Sequence, residues 1–132
     1  MSSFLEALER DDTHLDSWNN LGIVRAQAGD HRGAKEAWLS ALRVKRSYCK
    51  AHSNLGLLAK QRGLTEEAIV NFRTAIEHCP TNIAAHYGLG TLYADGRRNA
   101  QRAVFHFETL LKIDPDFSRG EEVRKRLLDL TW

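Results

Sequence analysis

Apolar residues recur at intervals of three and four along most of the chain, the spacing expected when one face of an α-helix is buried. The spacing is clearest in residues 21–24, 55–58 and 68–76. No segment alternates strictly between apolar and polar residues over the length of a strand. The pattern therefore predicts an all-α protein.

Glycine and proline divide this pattern into segments. Gly29, Gly63 and Gly96 stand where a first helix of a pair should end, because glycine adopts the left-handed conformation after a helix at little cost. Pro80 and Pro115 are placed to close later helices. Thr65 is a candidate N-cap, and Ser118, followed three residues later by a glutamate, predicts that a last helix begins near residue 118.

The chain also repeats itself with a period of 34 residues. WNNLG at 18–22 returns as HSNLG at 52–56 and as HYGLG at 86–90. Downstream positions also correspond, the third copy after a one-residue insertion: Ala34, Trp38 and Ala41; Ala68, Phe72 and Ala75; Ala103, Phe107 and Leu110. Small residues let two helices approach closely, and a large ring fills the space towards the next pair. The pattern predicts stacked helical hairpins.

At these positions the chain resembles the tetratricopeptide repeat family, whose 34-residue signature runs through Leu-Gly, Ala, an aromatic residue, Ala and Pro. The second copy matches best, with Leu55, Gly56, Ala68, Phe72, Ala75 and Pro80 in frame. The resemblance implies a right-handed α-solenoid of helical hairpins with a C-terminal capping helix. The predicted units are the second helix of a truncated leading repeat (1–14), three repeats (15–48, 49–82 and 83–117) and the capping helix (118–132).

The truncated leading repeat suggests two further hypotheses. One is that the chain is a piece of a longer protein. The other is that the apolar side chains of Phe4, Leu5 and Leu8 lack their natural cover, so that two copies could form a homodimer there.

The resemblance also implies a binding surface, because the first helix of each repeat lines the inner groove in this family. The predicted partner-binding residues are Asn19, Asn20, Ile23, Lys50, Ser53, Asn54, Leu57, Lys60, Tyr87 and Thr91. Asn20 and Asn54 lie one repeat apart, and an amide can pair with the main chain of an extended peptide. The groove favours a partner segment with an apolar anchor and an acidic residue near Lys50. The full carboxylate clamp of chaperone-binding members is not matched. In one register only Asn54 falls on a clamp position; one repeat earlier Asn20 and Lys50 do, but Asn54 then replaces the arginine.

No catalytic motif accompanies the repeats. None of the six histidines has a catalytic spacing, and neither a phosphate-binding loop nor a nucleophile elbow occurs. Cys49 and Cys79 should lie near each other at one end of a hairpin. A metal site with His52 and His78, a disulfide or two free thiols are all conceivable there, and free thiols are the simplest interpretation. We therefore predict a protein that is not an enzyme and holds no metal or cofactor.

Composition and charge narrow the class of partner. With 19 basic and 17 acidic side chains the net charge is only +2, which selects neither nucleic acid nor an anionic membrane. Basic residues cluster near two turns, 43–50 and 97–102, but no aromatic residues alternate with them. The chain lacks a long apolar run and a signal-peptide pattern at its start. We thus predict a cytoplasmic, non-catalytic scaffold that binds a protein or peptide, without membrane insertion or nucleic acid binding. Two alternatives stay open: a regulatory or substrate-recruiting module of a larger enzyme or assembly, and a homo-oligomeric adaptor.

Overall fold

The structure is a computed structural model that describes residues 14–95 and 99–131. These residues form seven helices: α1 (Leu15–Gln27), α2 (His31–Val44), α3 (Cys49–Gln61), α4 (Thr65–His78), α5 (Ile83–Asp95), α6 (Ala100–Ile113) and α7 (Gly120–Thr131). No strand occurs within the described ranges, and the all-α prediction is confirmed. The leading half-repeat lies almost entirely outside these ranges, as do Phe4, Leu5, Leu8 and Gly96.

Consecutive helices pair into three hairpins, α1 with α2, α3 with α4 and α5 with α6. Each hairpin packs on the next one, and α7 packs on α6. The first helices also contact one another directly, α1 with α3 and α3 with α5. They form one layer, whose exposed side we call the inner face. The second helices α2, α4 and α6 form the outer layer.

The helix ends follow the glycine pattern. Gly29 and Gly63 have φ angles of 84° and 76°, the left-handed conformation predicted for the residue after a helix. The cap prediction for Thr65 is wrong, because Leu64 is the N-cap and Thr65 already begins α4. The last helix begins at Gly120, two residues later than its predicted start.

Aromatic rings pack directly on helix glycines inside the solenoid. Trp38 lies on Gly22 and Phe107 on Gly90, each within its own hairpin. Phe72 lies on Gly56 of its own hairpin and on Gly88 of the next one. A Cβ atom added to Gly56 would come within 2.7 Å of the Phe72 ring, so the close approach of the helices depends on the missing side chain.

The buried side chains form two clusters that meet within α3. The first joins α1 and α2 to one part of α3, including Leu55 and Leu58. The second starts at Ala59 and continues through α4, α5 and α6 to Val123 of α7. The ring of Trp38 belongs to the first cluster and the ring of Phe72 to the second.

Cys49 and Cys79 form a disulfide, so the prediction of two free thiols is wrong. Cys49 is the first residue of α3, Cys79 directly follows α4, and their Cα atoms are 6.3 Å apart. The hairpin brings the start of α3 close to the end of α4, and a Cα separation of 6.3 Å is within the usual range for a disulfide. The rings of His52 and His78 stack beside it with centroids 5.8 Å apart. Both sulfur atoms are consumed by the bond and are not available as thiolate metal ligands.

Candidate functional site

The inner face carries most of the predicted binding residues, but they differ in accessibility. Seven of them are exposed or half-exposed: Asn20, Ile23, Lys50, Asn54, Leu57, Lys60 and Tyr87. Asn19, Ser53 and Thr91 are buried. The hydroxyl of Ser53 donates to the carbonyl of Lys50 at 3.1 Å, and that of Thr91 to the carbonyl of Gly88 at 2.9 Å. These two hydroxyls are directed back into their own helices instead of the groove.

Two asparagines link the first and second repeats. Nδ2 of Asn54 donates to Oδ1 of Asn19 at 2.6 Å, and the indole of Trp38 donates to the backbone carbonyl of Asn19 at 3.2 Å. The sequence pairs Asn54 with Asn20 as equivalent positions of a ladder. In the structure, part of the hydrogen-bonding capacity of Asn54 is used by Asn19, whereas Asn20 is exposed.

A second link between repeats occupies Lys50. Tyr48 donates its hydroxyl proton to Oδ1 of Asp16 at 2.5 Å, and Nζ of Lys50 lies 3.3 Å from the same oxygen. The hydrogen bond from Tyr48, followed by the contacts with Lys50, lowers the pKa of Asp16. Burial, together with this carboxylate, raises the pKa of Tyr48. The charge of Lys50 is thus partly neutralised within the protein.

An apolar depression separates this polar region from the C-terminal part of the inner face. It has a volume of about 170 Å³ and is lined by Ile23, Ala26, Leu57 and the neighbouring amides of Asn54 and Gln61. Ile23 and Leu57 are half-buried and also pack on the core. The depression has room for about one aliphatic side chain of a partner.

Beyond the depression, two cations lie close to the ring of Tyr87. Nζ of Lys60 lies 5.9 Å from the ring centroid, and the guanidinium of Arg119 lies 5.7 Å from it. Arg119 also donates to the hydroxyl of Tyr87 at 3.2 Å, and that hydroxyl donates to Glu122 at 3.3 Å. Arg126 pairs with Asp95 at 2.6 Å. We call Lys60, Tyr87, Arg119 and Glu122 the tyrosine cluster.

No carboxylate of the described residues lies within ion-pair distance of the Lys60 ammonium. Partial burial lowers its pKa and the positive charges of Arg126 and Arg119 act in the same direction, whereas the more distant carboxylates of Asp95 and Glu122 oppose this shift. In contrast, the hydrogen bond with Tyr87 raises the pKa of Arg119. Lys60 is therefore a cation that a carboxylate from outside would stabilise.

Comparisons with known proteins agree with this architecture. A family model described as a TPR repeat matches residues 59–96. The TPR domain of OM64 from Arabidopsis superimposes with a TM-score of 0.78 at 15% sequence identity, covering 89% of this chain and 97% of that one.

The chain thus resembles the tetratricopeptide repeat family, by a family-model match within residues 59–96 and by its fold. A 119-residue stretch is also 24% identical to the Drosophila melanogaster protein named O-mannosyl-transferase Tmtc3. That stretch is 90% of this chain but only 13% of the fly protein. The chain thus spans a small part of that relative.

Three residues of the site, Tyr48, Arg119 and Glu122, were not predicted from the sequence. Each contacts a residue about one repeat period away. Tyr48 lies 32 residues after its partner Asp16, and Arg119 and Glu122 lie 32 and 35 residues after Tyr87. Each pair therefore joins neighbouring tetratricopeptide repeats, or the last repeat and α7. Arg119, directly before α7, donates to the hydroxyl of Tyr87 and Arg126 of α7 pairs with Asp95, so both contact residues of α5.

A histidine pair joins α5 and α6 of the third repeat. His86 is buried, and its Nε2 lies 2.8 Å from the carbonyl of Pro80. That contact requires a proton on Nε2, so Nδ1 of neutral His86 accepts a hydrogen bond from Nδ1 of His106 at 3.0 Å. His106 is half-buried. Burial, with smaller contributions from His86 and Arg102, lowers its pKa to about 4.

This depressed pKa predicts a specific loss of stability in acid. Between about pH 6.5 and 4 the unfolded chain binds a proton at His106 that the folded chain does not, so the free energy of unfolding falls as the pH falls through this range. Because His106 is partly exposed, we expect about 1–2 kcal/mol, less than the full conversion of the shift. Urea unfolding of the native protein and of His106→Gln should differ in pH dependence by this amount. Identical profiles would contradict the prediction.

No group of three or more potential metal ligands occurs in residues 14–95 and 99–131. No helix in the same ranges is long and apolar enough to cross a membrane. The fold itself is an all-α solenoid of helical hairpins.

Proposed function

We propose that this protein is a non-catalytic scaffold that binds an extended segment of a partner protein along its inner face. The observation that carries the proposal is the Lys60 ammonium, which lies beside Tyr87 without an ion-pair partner in the described residues, next to the apolar depression. An apolar side chain of the partner would enter the depression. A carboxylate close to it in the partner would pair with Lys60.

We propose that the partner's acidic residue binds near Lys60, and not near Lys50. The sequence places it near Lys50, but Lys50 already contacts Asp16. Pairing a partner carboxylate with Lys60 costs no internal ion pair, whereas pairing it with Lys50 competes with one. Asn20 is exposed on α1, three residues before Ile23 of the depression, and can bind the partner's main chain. Asn54 contributes less, because Asn19 shares its amide.

This binding mode is tested by quantitative affinity capture followed by peptide mapping of the captured protein. We expect the double variant Asn20→Ala, Lys60→Ala to bind the mapped segment about tenfold more weakly, since each change removes one hydrogen-bonding or charged group. The matched control is Asn71→Ala, Lys112→Ala, which removes the same two residue types from α4 and α6. Equal losses in the two variants would contradict binding at the inner face.

A second candidate function is that of a regulatory or substrate-recruiting module within a larger enzyme or assembly. It is favoured by the similarity to a relative named O-mannosyl-transferase, of which the matched stretch is 13%. An antibody against this domain should then detect, in the source cell, a protein much larger than 15.0 kDa. A homo-oligomeric adaptor through Phe4, Leu5 and Leu8 remains a third hypothesis, and gel filtration at high concentration tests it.

The disulfide gives information about the cellular compartment in which this domain resides. A reducing, cytoplasmic location is the prediction from the sequence, whereas disulfides persist mainly in oxidising compartments. The bond between Cys49 and Cys79 therefore favours an oxidising compartment for this domain. Cells lysed in the presence of a maleimide reagent should yield protein that is labelled only after reduction. Labelling without a reductant would support the cytoplasmic prediction.

A further inference from the structure

The outer face has a groove that the inner-face proposal does not use. It has a volume of about 920 Å³ and lies between α2 and α4, near the disulfide. Seven residues line it: Leu39, Leu42, Arg43, Arg46, His52, Thr74 and His78. We call it the outer groove.

The charge of the outer groove has one sign. None of its lining residues is acidic, two are arginines and two are histidines. Arg43 donates to Ser40 of its own helix at 3.2 Å, and neither guanidinium pairs with a carboxylate in the described residues. The nearby Glu36 pairs with Arg32 instead. An occupant with negative charge would therefore meet no repulsion from the lining.

The same groove exposes apolar surface. Leu39 is 44% exposed on α2, and Leu42, one helical turn on, is half-buried. Two leucines three residues apart lie on one helix face and can contact the same apolar side chain. The outer groove thus combines an apolar strip with a positively charged end.

The end of the groove is held in place by covalent and polar contacts. Nε2 of His52 lies 2.9 Å from the carbonyl of Arg46, so the turn between α2 and α3 is fixed to α3. The disulfide fixes the start of α3 to the end of α4, where His78 stacks on His52. A surface that is already ordered loses less conformational freedom when a partner binds.

From these observations we propose that the outer groove docks a segment of a partner protein that carries both carboxylates and leucine-like side chains. Charge complementarity selects the acidic residues, and Leu39 with Leu42 selects the apolar ones. A nucleic acid fits less well. The basic cluster seen at 43–50 is divided between two faces, since Lys50 pairs with Asp16 on the inner face, and no aromatic platform of Phe, Tyr or Trp lines the groove.

The test uses a short fluorescein-labelled peptide that repeats Asp-Glu-Leu-Leu, titrated with the whole protein and followed by fluorescence anisotropy. We expect Arg43→Gln, Arg46→Gln to weaken binding about tenfold by removing two charge contacts. Lys112→Gln, Lys125→Gln removes the same charge elsewhere and should leave binding nearly unchanged. Leu39→Ser should weaken binding, whereas Val70→Ser, at an exposed position of α4 outside the groove, should not.

Several results would overturn the proposal. They are the absence of binding to the acidic peptide, equal loss in the two charge variants, or equal binding of a peptide that repeats Asn-Gln-Leu-Leu. Displacement of the peptide by a single-stranded oligonucleotide of equal charge, with stronger binding of the oligonucleotide, would assign the groove to nucleic acid instead. The inner-face variant Asn20→Ala, Lys60→Ala should bind the probe normally, which separates this proposal from the proposed function. Circular dichroism of each variant verifies that it is folded.

Discussion

Reduction of the Cys49–Cys79 disulfide is expected to lower the free energy of unfolding by about 3–4 kcal/mol. The bond joins residues 30 apart in sequence, and closing a loop of this size restricts the unfolded chain by about that amount. The melting temperature should fall by roughly 10 °C for a chain of this length. Thermal unfolding with and without a reductant measures the effect.

The double variant Cys49→Ser, Cys79→Ser supplies the control for this experiment. It should melt close to the reduced native protein, and adding a reductant should not change its melting temperature. If native protein and double variant melt together under oxidising conditions, the bond does not stabilise the fold. An unchanged melting temperature on complete reduction, verified by thiol counting, would lead to the same conclusion.

Truncation of the central ring should have an effect of similar or greater size. Phe72 is completely buried between Gly56 and Gly88, so Phe72→Ala is expected to cost about 4 kcal/mol through lost burial and the cavity left behind. Gly88→Ala in the native protein should cost about 1–2 kcal/mol, because the new methyl group overlaps the ring by more than the gain in helix propensity offsets. Urea unfolding measures both values.

Combining the two substitutions provides a test that depends on their direct contact. In the Phe72→Ala background the ring is absent, so Gly88→Ala should stabilise the protein by about 0.5–1 kcal/mol through helix propensity and partial filling of the cavity. Gly22→Ala, which meets Trp38 instead, should be destabilising in both backgrounds. A Gly88→Ala effect that keeps its sign after the ring is removed would show that contact with Phe72 is not its cause.

The fold was predictable because its main determinants repeat. Trp38, Phe72 and Phe107 and the glycines beneath them recur at a fixed period, so one arrangement explains three hairpins. Gly29 and Gly63 marked helix ends correctly because few other residues adopt their conformation at low cost. The N-cap at Thr65 was wrong because one residue suffices to move a helix start, and a hydroxyl in the first turn resembles one at the cap.

The site was less predictable, since it depends on contacts between repeats. A sequence position assigns a residue to the inner helix, but not the direction of a short hydroxyl, so Ser53 and Thr91 were included although both bond to their own helices. The engagement of Lys50 by Asp16 requires knowing which side chains of two repeats meet. The disulfide was recognised as possible, but sequence alone does not distinguish it from two nearby thiols.

The aromatic rings contact different numbers of hairpins, so we expect some parts of the solenoid to open more easily than others. Phe72 contacts glycines of the second and third hairpins, whereas Trp38 contacts a glycine of its own hairpin only, and the core is interrupted within α3 between Leu58 and Ala59. Separation of the first hairpin would therefore expose Leu55 and Leu58 of α3, whereas the cluster around Phe72 would keep its own contacts. Such a partly opened form would release the pairing of Asn19 with Asn54 and of Asp16 with Tyr48 together. A partner that binds α1 and α3 together would then stabilise the packing of the first repeat on the second.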